Sequence, residues 1–354
     1  MSESDVTRQG LRGTRPGHQA VTGEAAGRAP RHARRGGRRK GRRGGEQPPV
    51  EPARFSSYYG RPVLNKPVWE ARDIAGYLFL GGLAGGSSLL AAGAHATGRP
   101  ALARPAKAAA LGAVSLSTAA LVHDLGRPER FAHMLRVFKP TSPMSMGSWL
   151  LAGYGPLAGL AAVTGLTGRF RRTGAAATAG AAVLAPAVTT YTAVLLADTA
   201  VPSWHQAYRE LPLAFAGSGA AAAGGLGMLA GPVAQAGPAR RLAAFGAALE
   251  LGAMEAMKRR MGLVAEPLER GRAGRLLRAS KALTASGAAL GATAGRRSRA
   301  AAAVAGTALL LGSAAGRFGV FHAGVASAED PRYTVLPQRE RLRRRTAHPS
   351  PDTP

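Results

Sequence analysis

The middle of the chain alternates between long apolar runs and short polar segments. Ala, Gly and Leu dominate these runs, which carry few charges and are each long enough to cross a bilayer as a helix. The clearest run covers residues 74–94 and ends in Thr97, Gly98, Arg99 and Pro100. The pattern therefore predicts an all-α integral membrane protein of about eight transmembrane helices. The predicted spans are residues 74–94, 106–126, 148–168, 173–197, a stretch within 211–239, and then 241–257, 276–295 and 300–321.

Charge is concentrated outside the predicted spans. Of the net charge of +28, an Arg-rich tail at residues 1–57 contributes +8 and a charged tail at residues 327–354 contributes +2, while the loops between the spans carry most of the rest. The first tail has almost no large apolar side chain, so we expect it to be disordered. A solvated cytoplasmic tail is the simplest interpretation of its charge, while binding of anionic lipid or nucleic acid stays an alternative.

The distribution of Lys and Arg between the connecting loops predicts the orientation of the helices. Both tails, the loop between the second and third spans, and the loop between the sixth and seventh spans are basic and lie on one face. We therefore expect both termini in the cytoplasm, with the protein in the plasma membrane. The loop after the second span contributes Arg127, Arg130, Arg136 and Lys139.

The chain has no cysteine, which excludes disulfides and thiolate-ligated iron–sulfur clusters in this polypeptide. A membrane haem usually needs two histidines at matching depth. His95 and His123 are expected near opposite faces, so we predict no haem and no metal site. Patterns typical of a hydrolase nucleophile or a Walker loop are also missing.

Acidic residues collect at one predicted membrane face, at the ends of the first, second, fourth and sixth spans. Tyr77 follows Asp73 by one helical turn on the same face, and Tyr191 lies roughly in line with Asp198. A quinone headgroup needs hydrogen-bonding groups for its carbonyls, a proton route and an apolar slot. The candidates for quinone binding and proton transfer are Asp73, Tyr77, His123, Asp124, Tyr191 and Asp198.

Several segments resemble the NrfD/PsrC family of quinone-interacting membrane subunits. The resemblance spans roughly residues 58–340 and is most specific over the first three predicted helices. Where family members often carry Asn, His or Glu near the start of the first helix, this chain has Glu70, Asp73 and Tyr77. The segments that carry the resemblance are residues 58–62, 66–69, 77–86, 124–128, 130–131, 134–140, 142–149, 191–204, 317–318 and 330–331.

The resemblance implies two four-helix bundles, at residues 58–201 and 202–326, with no cofactor held by the chain itself. It also implies electron exchange between quinone, expected to be menaquinone, and a four-cluster iron–sulfur subunit that serves a molybdopterin catalytic subunit. The quinone site would lie in the first bundle. The basic loop would then dock the partner through Arg127, Arg130, Arg136 and Lys139.

A secondary transporter or proton channel is the alternative function, because acidic residues within membranes also mark ion routes. Against it, the acids gather at one face, whereas transporters usually bind substrate near the midplane. Glu250 is the residue that could extend a proton path inward. A structural anchor without a quinone site is a third, weaker possibility.

Overall fold

The computed structural model describes residues 6–7, 10–11, 63–64, 67, 69–125 and 129–347. Leu64–Glu329 form one compact unit, and Met1–Val63 with Asp330–Pro354 form another. In the second of these units, β1 (Val6–Thr7) pairs antiparallel with β2 (Gly10–Leu11), and α12 covers Arg332–Ala347. Apart from that strand pair, the basic tail predicted to be disordered lies outside the described residues.

Eight long helices follow one another in the unit Leu64–Glu329, and each overlaps one predicted apolar span. They are α1 (Ala71–Ala96), α2 (Pro100–Asp124), α4 (Pro143–Thr167), α5 (Arg171–Ala197), α7 (Leu211–Ala230), α8 (Gly237–Met261), α10 (Gly271–Ala292) and α11 (Arg299–Glu329). Short helices α3 (Glu129–Met134), α6 (Pro202–Gln206) and α9 (Glu266–Glu269) lie between them.

Six of these helices are long and apolar enough to cross a membrane: α1, α2, α4, α5, α7 and α11. The other two, α8 and α10, carry more charged residues along their length. Several helices also extend beyond the apolar run that predicted them. For example, α2 begins at Pro100 and α11 continues past Phe321 to Glu329, because backbone hydrogen bonding does not stop where apolar side chains do.

Two groups of helices meet along α1 and α7. The first half of the unit contains α1 to α5, and the second half contains α7 to α11. In the first half, α1 contacts α2 and α5, and α4 contacts α2 and α5; in the second half, α7 and α10 each contact both α8 and α11. Contacts between the halves run mainly from α1 to α7, with further contacts from α5 to α7 and from α1 to α11. The core of this unit therefore includes side chains from both groups.

Glycines allow α7 to pack against three helices at very short range. A Cβ atom at Gly219 would lie 2.6 Å from a carbonyl oxygen of α1. A Cβ atom at Gly217 would lie 2.7 Å from a carbonyl oxygen of α8, and one at Gly225 would lie 2.7 Å from a carbonyl oxygen of α11. Because a methyl group cannot fit there, glycine permits the close backbone approach common in membrane helix packing. The pairs are Gly219 with Gly82, Gly217 with Gly246, and Gly225 with Gly306.

The glycines of α1 divide between different neighbours. Gly81 and Gly85 are four residues apart, a spacing that is common in helix interfaces, but Gly81 lies nearest Ser117 of α2 and Gly85 lies against α5. The pair that faces α7 is Gly82 with Gly86. Since α1 has neighbours on several sides, spacing within the helix did not determine which glycines meet which partner.

Trp204 of α6 packs against the residue segment before α1 and against the C-terminal part of α11. Its side chain is 1% exposed, its ring stacks on Trp69 at 5.9 Å between centroids, and Nε1 donates to the Val320 carbonyl oxygen at 2.9 Å. The ring also lies directly against Gly324, where a Cβ would overlap it. These contacts fix the connection between the two halves.

Candidate functional site

Two tyrosines from different helices form a hydrogen-bonded pair, in which Tyr77 is buried and Tyr191 is partly buried. The hydroxyl groups of Tyr77 on α1 and Tyr191 on α5 hydrogen-bond to each other, and their rings meet edge to face at 6.2 Å between centroids. Tyr77 is only 2% exposed. The pair places two phenolic groups, each a donor and an acceptor, between α1 and α5.

Neighbouring residues position this pair from α2 and α4. Ser117 Oγ donates to the Tyr77 carbonyl oxygen at 3.2 Å. On the other side, Gly147 of α4 leaves room for the Tyr191 ring, because a Cβ there would lie 2.7 Å from Tyr191 Cε2. Four helices therefore hold the tyrosine pair.

An ion pair lies one turn of α1 away from the tyrosines. Asp73 Oδ2 and His123 Nδ1 are 2.8 Å apart, with side-chain exposures of 15% and 78%. Four residues of helix separate Asp73 from Tyr77, which corresponds to about 6 Å along the axis. Asp124 follows His123 and accepts a hydrogen bond from the backbone N–H of Glu70. This arrangement places acidic and imidazole groups between the tyrosine pair and solvent.

Five of the six residues proposed from sequence are brought together in this way: Asp73, Tyr77, His123, Asp124 and Tyr191. Asp198, the sixth, is the C-cap residue of α5 and is exposed. Within the described residues, no hydrogen bond or ion pair joins the Asp198 carboxylate to the other five.

The basic loop between α2 and α4 is tied to the start of α4. Lys139 donates its backbone N–H to Ser145 Oγ at 3.1 Å, and Trp149 Nε1 donates to the Val137 carbonyl oxygen at 3.3 Å. Phe138 is 60% exposed and packs edge to face on Trp149. The loop therefore presents an exposed aromatic group next to a basic one.

The structure describes the side chains of two of the four docking candidates. Arg136 and Lys139 are exposed residues of this loop. Arg130 belongs to the backbone of α3, although its side chain lies outside the described part of the chain, as does all of Arg127.

Sequence reasoning missed two buried polar side chains in the first half. Tyr154 of α4 donates to the Ala84 carbonyl oxygen at 2.8 Å and also hydrogen-bonds Ser88 at 2.7 Å. Lys107 is 6% exposed and lies along Gly165. The predicted second span began at residue 106, which put Lys107 at its edge, whereas α2 begins at Pro100 and carries it about two turns inward.

A second polar cluster lies in the other half of the unit. Glu250 of α8 and Arg317 of α11 are 5% and 1% exposed and line one pocket. Sequence reasoning singled out Glu250 but not Arg317. A charged residue within an otherwise apolar span was the available signal.

Among the side chains that the structure describes, no group of three or more His, Cys, Asp or Glu is arranged to hold a metal ion. Taken together, the apolar helices and the polar cluster at one end of them define a multi-pass integral membrane protein.

Comparison with protein families supports a particular assignment within that class. The family described as polysulphide reductase, NrfD, matches residues 62–241. The chain belongs to the NrfD family, whose members are membrane subunits of quinone-linked oxidoreductase complexes. A comparison with curated proteins found no match.

Proposed function

We propose that this protein exchanges electrons between the membrane quinone pool, expected to be menaquinone, and an iron–sulfur subunit that serves a molybdopterin catalytic subunit. The observation that carries the proposal is the Tyr77–Tyr191 pair, one helical turn from the Asp73–His123 ion pair. The family membership supports the same conclusion. In this proposal the chain has no redox activity without its partners.

The tyrosine pair supplies groups that suit a quinone headgroup. Each hydroxyl of Tyr77 and Tyr191 can turn from its partner and donate to a quinone carbonyl, and the burial of Tyr77 limits competition from water. Oxidation of a quinol releases two electrons and two protons. The electrons pass to the iron–sulfur partner. Asp73 and His123 accept the protons, because they lie between the tyrosines and solvent and the side chain of His123 is 78% exposed.

The loop between α2 and α4 is the proposed docking surface for the partner. Arg136, Lys139 and Phe138 are exposed there, next to the end of α2 that carries His123. Arg127 and Arg130 belong to the same proposal through their sequence positions. A basic loop with an exposed aromatic ring suits an acidic partner surface, since aromatic and arginine side chains are enriched at protein interfaces.

We also propose that all eight long helices span the membrane, as two four-helix bundles at residues 58–201 and 202–326. The contacts within each set of four helices support this division. In α8, Glu250 is buried between helices and the other charged residues lie nearer the helix ends. In α10, the long side chain of Lys281 can extend its charged group toward the membrane surface. In this proposal both termini lie in the cytoplasm, and the basic loops on the same face support that orientation.

A transporter or proton channel is the second candidate function, favoured by the burial of Glu250 and Arg317 within the second half. Charged residues inside a membrane protein often line ion routes. The two functions differ in what the purified protein carries, because a transporter needs neither a bound quinone nor an iron–sulfur partner.

The deciding experiment is purification from the native membrane in mild detergent, followed by mass spectrometry of associated proteins and extracted quinone. Tyr77→Phe and Tyr191→Phe each remove one hydroxyl, so we expect quinone binding to weaken roughly tenfold. Tyr208→Phe is the matched control, because Tyr208 is 51% exposed and lies outside the pair.

Equal quinone retention by all three variants would reject the tyrosine pair as the site. Recovery of wild-type protein with neither quinone nor an iron–sulfur subunit would reject the electron-transfer function and favour transport.

A further inference from the structure

A pocket between α7, α8, α10 and α11 lies outside the proposed quinone site. It holds a cavity of about 50 Å³ that is partly open to solvent. Leu251, Met254, Leu277 and Val320 form apolar walls, whereas the side chain of Arg317 lies at the buried end. An apolar pocket with a few polar groups at one end is the usual form of a small-molecule site.

Arg317 presents hydrogen-bond donors that its surroundings leave unused. Nη2 donates to the Phe215 carbonyl oxygen at 2.7 Å, and the guanidinium carbon lies 3.6 Å from the centroid of the Phe215 ring. Nε and Nη1 are fully buried and have no hydrogen-bond partner among the described residues. Unpaired buried donors are costly, so an acceptor that reaches either nitrogen relieves part of that cost.

Glu250 balances the charge of Arg317 across the same pocket. Its carboxylate accepts a hydrogen bond from Thr284 Oγ1 at 3.4 Å and lies beside Ser280, which also lines the pocket. Within the described part of the chain, no direct ion pair joins Glu250 to Arg317. The gap between them leaves space for polar atoms of a ligand. Because a carboxyl group and a guanidinium group both line the deep end of the pocket, that end suits a neutral ligand better than an anionic headgroup.

The open end of the pocket lies between α8 and α10. Glu255 of α8 and Lys281 of α10 line it and are exposed residues. Leu251 and Met254 lie between this opening and the buried Glu250 on the same helix. A ligand with an apolar chain can therefore keep its polar head near Arg317 while the chain follows α8 outward.

We propose that this pocket binds a neutral membrane amphiphile whose head carries carbonyl oxygens, with Arg317 Nε or Nη1 donating to one of them. Isoprenoid quinones and neutral acyl lipids share this chemistry. The pocket is distinct from the Tyr77–Tyr191 pair, and its occupancy does not depend on whether that pair binds quinone.

Binding to purified full-length protein in detergent tests this inference. The probes are a naphthoquinone with a short isoprenoid chain and, in a separate titration, a diacylglycerol. Leu251→Trp fills the pocket from α8. Phe245→Trp is its matched control, because Phe245 belongs to the same helix but is 63% exposed and does not line the pocket. Arg317→Lys keeps the charge while removing the planar pair of donors.

We expect at least one probe to bind wild-type protein and Phe245→Trp equally, and to bind Leu251→Trp about tenfold or more weakly. Weaker binding to Arg317→Lys would place the head at the guanidinium. If Leu251→Trp loses one class of naphthoquinone binding sites, the ligand is a quinone. If Leu251→Trp loses only the binding of diacylglycerol, the ligand is an acyl lipid. Equal binding of both probes to Leu251→Trp and its control would overturn the proposal and leave the pocket to water.

Tyr191→Phe separates this inference from the proposed function. Binding in the α7–α11 pocket should be unchanged by Tyr191→Phe, because that residue belongs to α5 and does not line the pocket. Even if the tyrosine pair binds no quinone, the probe binding that Leu251→Trp weakens should remain. Loss of that binding in Tyr191→Phe would show that the two sites are not separate and would reject the inference.

Discussion

The hydroxyl groups of Tyr77 and Tyr191 hydrogen-bond to each other although 114 positions separate them in the sequence. Gly147 of α4 makes this possible, because its missing side chain accommodates the Tyr191 ring. The geometry of the proposed quinone site thus depends on a glycine that contacts no ligand.

Gly147→Ala is expected to displace the Tyr191 ring and weaken quinone binding at this site severalfold. The added Cβ would lie 2.7 Å from Tyr191 Cε2, closer than such atoms pack. Gly155→Ala on the same helix is the control, since a Cβ there meets nothing within 4 Å. Quinone titration of both variants measures the effect. Equal affinities would mean that Tyr191 can shift without cost to the site.

Gly86→Ala is expected to destabilise the contact between α1 and α7. A Cβ at Gly86 would overlap the Gly219 carbonyl oxygen and lie 2.9 Å from Ala223 Cβ. Overpacking of this kind typically costs about 1–3 kcal/mol. Thermal unfolding followed by intrinsic tryptophan fluorescence measures the change.

Gly93→Ala on the same helix is the control for this substitution. A Cβ at Gly93 meets nothing within 4 Å, and alanine favours helix over glycine, so its unfolding temperature should stay equal or rise. A similar decrease in both variants would indicate a general loss of helix stability rather than a steric conflict with α7.

Arg299→Ala is expected to weaken the end of α7. Arg299 Nη1 donates to the carbonyl oxygens of Met228 at 2.6 Å and Gly231 at 2.9 Å, and Nη2 donates to that of Leu229. Hydrogen bonds from a charged group contribute about 1.5–3 kcal/mol in favourable cases, so the loss should lower the unfolding temperature. Arg297→Ala, at an exposed residue nearby, should leave it unchanged.

Acid is expected to weaken the ion pair between Glu210 and Arg260 at the start of α7. Hydrogen bonds from Arg260 Nε and Nη2, both 2.6 Å long, hold the pKa of the Glu210 carboxyl below its ordinary value of 4.5. A carboxyl with a lowered folded-state pKa stabilises the fold above its unfolded-state pKa. That stabilisation is lost as the pH falls through the folded-state value.

Unfolding temperatures measured from neutral pH down to below about 4.5 check this expectation. The Glu210→Gln variant should show a shallower decrease than wild type, because it has no proton to gain at this position. Glu255→Gln is the control, since Glu255 is 48% exposed and pairs with Arg259 on the surface of α8. Identical pH profiles for Glu210→Gln and wild type would contradict the prediction.

Single cysteines test the proposed orientation, and the absence of native cysteine makes the background clean. Thr141→Cys lies in the loop before α4 and Ser298→Cys lies before α11, both at exposed residues. The proposal expects a membrane-impermeant thiol reagent applied to whole cells to label Ser298→Cys but not Thr141→Cys. The reverse result would invert the orientation.

Part of this picture could be predicted from the sequence because it depends on local properties. Apolar runs predicted where helices form, since burial of apolar side chains and internal backbone hydrogen bonding act within each segment. The four-residue spacing of Asp73 and Tyr77 likewise placed both on one face of α1 before any neighbour was known.

Which helices meet, and through which residues, could not be predicted in this way. The spacing of Gly81 with Gly85 is typical of one shared interface, yet these glycines face different helices and Gly82 with Gly86 faces α7. Small residues occur on several faces of α1, and only the packed structure selects among them.

The sequence by itself determined the helical spans, the family resemblance and the acidic and tyrosine residues at one end of the helices. Only the tertiary structure decided that Tyr77 bonds Tyr191, that Asp73 pairs with His123, and that Arg317 lies buried across a pocket from Glu250. The physical reason is that segment composition governs burial and helix formation, whereas contacts between distant side chains depend on how closely the helix backbones approach one another.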